Sequence, residues 1–108
     1  MRIDVHLEGG KSPFLRWLDG LSVAHRALVE RHLVRLSLGQ TAALKSLGGS
    51  LVEYRIRGQL ELRLYLGRVQ RDDLLLLWGG LKKHQKKDLL RARTYWSNHL
   101  SQRNHGLE

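Results

Sequence analysis

The stretch from Leu51 to Trp78 limits the fold more than any other part of the chain. Side chains along a strand alternate between its two faces. Val52, Tyr54 and Ile56 therefore share one face of a strand, with Glu53, Arg55 and Arg57 on the other. Past a turn at Gly58, the residues Leu60, Leu62, Leu64 and Leu66 share a face, opposed by Glu61, Arg63 and Tyr65. Leu74 to Trp78 is apolar on both faces, the pattern of a central strand covered above and below. Together these predict an antiparallel sheet with helices packed against it. The face carrying Arg55, Arg57, Arg63 and Tyr65 then has two readings. It is a plate for phosphates and unstacked bases, which guanidinium groups beside an aromatic ring suit. Alternatively it is a solvated sheet face, with Glu53 and Glu61 in cross-strand ion pairs.

The flanking segments supply the helices. Ile3, Val5 and Leu7 alternate with polar residues and predict a short first strand, ended at Gly9-Gly10-Lys11. Ser12-Pro13 reads as an N-cap followed by proline at the first helical position. Phe14, Trp17, Leu18 and Leu21 then line one face of a short helix. A second helix is expected from Leu21-Ser22 to about Leu38. It carries two apolar stripes, Leu28, Val29, Leu33 and Leu36 on one side and Val23, Ala27, Val34 and Leu38 on another. Such a helix is expected to be covered twice, by the sheet and by the first helix or a partner. Gln40 to Ser50 reads as a loop. A last helix is predicted from Gln85 to Leu100, with Leu89, Ala92, Trp96 and Leu100 on its apolar stripe. The expectation is one α+β domain over residues 1–108, with an N-terminal strand and helical hairpin on a small, mainly antiparallel sheet, closed by a C-terminal helix.

Charge narrows the function. With 19 Lys and Arg against 10 Asp and Glu, the chain carries a formal +9. A small domain this basic meets something acidic: nucleic acid, the ribosome, a membrane surface or an acidic protein. No apolar run approaches the roughly 18 residues of a membrane span. The opening MRIDVHLEGG is too polar for a signal peptide. The absence of cysteine excludes disulfides, thiolate chemistry and cysteine-ligated zinc, and points to the cytoplasm. The six histidines lack paired metal spacing, so neither metal nor cofactor is expected. The terminal Leu107-Glu108 reads as a cloning remnant.

The densest cationic element is LKKHQKKD, Leu81 to Asp88, at the start of the last helix. Lys82, Lys83, Lys86 and Lys87 stand where the helix dipole already disfavours positive charge, a placement relieved when an anion binds. An ordinary solvated basic turn is the other reading. His84 lies within it, as an exposed loop residue or, with a reference pKa near neutrality, a general acid or base.

In order along the chain, WLDGL (Trp17 to Leu21), RLSLG (Arg35 to Gly39), LKSLGG (Leu44 to Gly49), EYRI (Glu53 to Ile56), RLYL (Arg63 to Leu66), LLLLWGG (Leu74 to Gly80) and KKHQKKDLLRA (Lys82 to Ala92) form a recognisable succession. It resembles the RelE/ParE superfamily of bacterial type II toxins, in its HigB-like, phage-derived addiction module killer branch. The resemblance implies a RelE-like fold. It also implies a growth-inhibiting toxin that cuts mRNA at the ribosome without metal, neutralised by a cognate antitoxin, an acidic or helix-turn-helix protein. Carried over by position, Arg55 and Arg63 hold the scissile phosphate, while Lys82 and Lys86 add positive charge or shuttle protons. Tyr65 stacks on or orients a base, and Gln85 bonds RNA or fixes the loop. Arg57, Lys83, His84 and Lys87 join the RNA-binding set. The Gly58-Gln59 turn is shorter than the family's, which leaves the pairing of Arg55 with Arg63 open. Two other readings stand beside the nuclease: a ParE-like gyrase inhibitor, and a non-catalytic basic domain that binds nucleic acid.

Overall fold

A computed structural model describes residues 1–106, with side chains through residue 103, so Leu107-Glu108 lie outside it. The chain runs β1 (Arg2–Val5), α1 (Pro13–Asp19), α2 (Val23–Ser37), β2 (Leu44–Gly48), β3 (Leu51–Ile56), β4 (Leu62–Gln70), β5 (Asp73–Leu81), a 3-10 turn (Lys82–His84) and α3 (Gln85–Gly106). The five strands form one mixed sheet in the order β1-β5-β4-β3-β2. β1 runs parallel to β5, with Ile3 opposite Leu74, and the other pairings are antiparallel. The class is α+β.

Both helix starts follow from local chemistry. Ser12 accepts from the Leu15 amide and Pro13 takes the first position of α1. Ser22 caps α2 through the His25 amide. Each cap satisfies an amide that the first turn leaves without a helical partner.

The sheet has a core on each side. Against α1 and α2 pack Phe14, Leu18, Val29 and Leu36 with Tyr54, Ile56, Leu62, Leu64, Leu74 and Leu76. The opposite face holds Leu51, Tyr65, Leu75 and Leu77 beneath Ala92 and Trp96 of α3. Leu74 to Leu77 is thus buried from both sides, the central position its all-apolar run implies. Trp96 lies so close over Gly67 that an added Cβ would sit 2.3 Å from its ring. That contact docks α3 and needs a residue without a side chain beneath it.

Three expectations change. Residues 40–50 contain a strand rather than a loop throughout: β2 pairs with β3, Leu44 opposite Tyr54 and Ser46 opposite Val52. Its pattern is weak because Lys45 and Ser46 interrupt the apolar residues; the unpaired edge of β3 recruits it. The turn between them places Gly48, Gly49 and Ser50 at φ of 95, 58 and 65°, a region costly to side chains that glycine adopts freely. The second apolar stripe of α2 is not covered by any described element, and Val23 and Leu38 remain 75% and 73% exposed. Helix α3 extends six residues beyond Leu100, to Gly106.

A candidate nucleic-acid interface

The face expected to carry Arg55, Arg57, Arg63 and Tyr65 is half roofed. Leu75, Leu77 and Leu51 on that side need cover, and α3 supplies it, burying Tyr65 completely; Arg63 is almost as buried, between Glu53 and Glu61. Tyr65 therefore does not present its ring to a base. Its hydroxyl has no hydrogen-bond partner among the described residues. Burial, with the carboxylates of Glu53 and Asp88 behind it, pushes that hydroxyl's pKa up to about 12.

Beyond the roof the strand face stays open. The turn leaves Arg55 directly opposite Arg63 in the β3–β4 ladder. Arg55, Arg57, Arg63 and Lys82 line one depression of about 400 Å³, with Gly58 and Glu61 completing its wall. Strand β3 supplies Arg55 directly, β4 supplies Arg63, and the end of β5 brings Lys82 alongside. The Lys82 amide donates to the Glu61 carbonyl at 3.1 Å, which holds that corner together.

The cations of this cleft are not all free. Glu53, fully buried, accepts from Arg55 Nε and Arg63 Nη1, both at 2.9 Å. The hydrogen bond to Glu53, and then its charge, hold the Arg55 guanidinium above its ordinary pKa. Glu61 lies between Arg63 Nη2 and Lys82 Nζ, 3.6 Å from each. Both readings of the strand face therefore contribute to it: cations gather at the open end, and the carboxylates Glu53 and Glu61 pair with them.

The remaining predicted residues divide. Lys83 and Gln85 line a neighbouring hollow with Lys82 and Glu61. His84 and Lys87 lie on another side of the turn, in a larger cavity between α1 and α3. Lys86 is exposed on the first turn of α3 and does not line the arginine cleft. Glu61 entered the sequence reading only as an ion-pair partner. A carboxylate flanked by two cations in a depression is the signal that singles it out, and that juxtaposition exists only once β4 and the Lys82 turn meet. Among the described residues no group of three or more His, Asp or Glu has the arrangement of a metal site, and no helix is long and apolar enough to cross a membrane.

No protein-family model, no curated protein and no solved structure matches the chain.

Proposed function

We propose that the protein is the toxin of a type II toxin–antitoxin pair, with a RelE-like fold, and that it acts in the cytoplasm as a metal-independent, ribosome-associated mRNA endoribonuclease. The observation that carries this reading is the convergence of Arg55, Arg57, Arg63 and Lys82 on one depression with a carboxylate, Glu61, among them. That set matches what phosphodiester cleavage by an internal hydroxyl requires. Glu61 takes the proton from the ribose 2′-hydroxyl as its oxygen attacks phosphorus. The bond from phosphorus to the 5′-oxygen breaks, and the Lys82 ammonium supplies the proton that oxygen needs. Arg55 and Arg57 neutralise the charge that builds on the phosphate oxygens. Arg63, buried between Glu53 and Glu61, is a positioning residue. The motif succession from Trp17 to Ala92 supports the same family.

The test is a cell-free translation reaction with the purified protein, in which the new 5′ ends of a reporter mRNA are mapped. Cuts within translated codons are expected, falling at least about 100-fold for Glu61→Gln and for Lys82→Ala. Bound but uncut mRNA would favour a second reading, a non-catalytic RNA-binding domain. One observation supports that alternative: Glu53 already accepts from both Arg55 and Arg63, so two of the cleft's guanidiniums are committed to the protein itself.

A further inference from the structure

The opposite side of the Lys82–His84 turn holds a second polar-aromatic surface that the proposed chemistry does not use. Two cavities, of about 580 and 400 Å³, adjoin between α1 and α3. They share Arg16, Trp78 and Arg91, so the two hollows of this groove meet at those side chains near the end of β5. Trp17 packs directly on Gly79 in the groove floor, where an added Cβ would lie 2.3 Å from the indole ring. Trp78 stands at the junction, its indole N–H donating to Asp88 Oδ1 at 3.0 Å and the Arg91 guanidinium 4.5 Å from its ring centre. Tyr95 continues the aromatic wall toward Lys11 and Ser12.

The cations here differ from those of the arginine cleft. Lys11, Arg16, Lys87 and Arg91 form no ion pair among the described residues, whereas in the arginine cleft Arg55, Arg63 and Lys82 each do and Arg57 alone does not. Unpaired cations alternating with half-buried indole and phenol rings are what single-stranded nucleic acid requires. Phosphates take the charge, and bases stack on rings or on guanidinium planes. Glu8, whose side chain is 33% exposed, offers an acceptor to the amino groups of a base. Acidic side chains have no flat ring to stack on Trp78 or Tyr95 and no amino group to give Glu8, whereas bases have both, so the lining favours nucleic acid over an acidic protein segment.

We propose that the groove between α1 and α3 binds a single-stranded RNA segment, separately from the arginine cleft. The choice of RNA rests on the nuclease reading, but the groove stands on different residues and fails independently. The experiment titrates the whole protein with a short fluorescent single-stranded RNA, following anisotropy and tryptophan emission at several salt concentrations. Quenching is expected, because Trp17 and Trp78 line the groove. The exposed pair Lys11→Ala with Arg16→Ala should bind about tenfold more weakly, with a salt slope lower by about 1.4, the share of two single-strand phosphates. Trp78→Phe should lose about tenfold through weaker stacking, and the Lys11/Arg16 variant decides the matter if Trp78→Phe does not fold. Both groups of variants should keep cleaving at saturating RNA. Wild-type binding by the groove variants, with loss only in Arg57→Ala/Lys82→Ala, would overturn the proposal while leaving the nuclease intact. Quenching by poly-glutamate but not by RNA, or no RNA binding at all, would also overturn it.

Discussion

Glu53 Oε1 accepts at 2.9 Å from Arg63 Nη1, and neither side chain is more than 4% exposed. The same oxygen accepts from Arg55. A buried ion pair adds little net stability over an apolar pair, but breaking it strands a charge in a low-dielectric interior. Glu53→Gln should therefore destabilise the fold by about 3 kcal/mol, read from the urea midpoint. An unchanged midpoint would mean that Glu61 alone suffices for Arg63.

The close approach of α3 to β5 depends on Gly80. A Cβ there would lie 1.9 Å from Asp88 Oδ2, and Asp88 is held in place by the Trp78 indole. Gly80→Ala should cost about 2 kcal/mol by overpacking. In an Asp88→Ala background the cost should largely vanish, which a double-mutant cycle measures. Additive effects would remove the contact from the account.

Tyr65 gives a prediction of opposite sign. Its buried hydroxyl finds no partner, so it carries a desolvation cost without a compensating bond. Tyr65→Phe should leave stability unchanged or raise it by about 1 kcal/mol. A clear loss in thermal unfolding would show that the hydroxyl is bonded. With its pKa near 12, Tyr65 should also stay un-ionised when a spectrophotometric titration reaches the ordinary tyrosine range near 10.

Acid should weaken the fold in two stages. Burial lowers the pKa of His99, which is stacked on Trp96, and also that of His32, which is bonded to Tyr54 Oη at 2.8 Å. The native state thus binds protons less readily than the unfolded chain. The stability these histidines contribute is complete above their ordinary 6.5 and is lost as pH falls through their lower native values. Glu8, lowered by the Asn98 hydrogen bond and then by that of His6, acts likewise below its ordinary 4.5. Urea midpoints should fall from pH 7 downward. His99→Gln should flatten the upper stage, and an unaltered slope would rule His99 out as its source.

What could be read in the chain depended on whether a feature is local. The helix starts at Ser12-Pro13 and Ser22 follow from caps within four residues. The central place of Leu74 to Leu77 follows from a run too apolar to face water on either side. β2 was not legible, because Lys45, Ser46 and Gly48 break its alternation. It becomes a strand through the hydrogen-bonding edge of β3, which no local window contains.

The candidate site divides along the same line. By itself the sequence determined the sheet face on which Arg55 and Arg63 lie, because period-two geometry leaves no other option once their apolar neighbours are buried; Arg57 stands just past the end of β3. Only the tertiary structure decided which of them reach solvent. Helix α3 had to cover Leu75 and Leu77, and in doing so it closed over Tyr65, while Glu53 and Glu61 drew in Arg63. It also brought Arg91 to Trp78, and α1 brought Arg16 beside them. Those meetings join residues 13 or more positions apart, and packing of the two cores rather than any local pattern sets them.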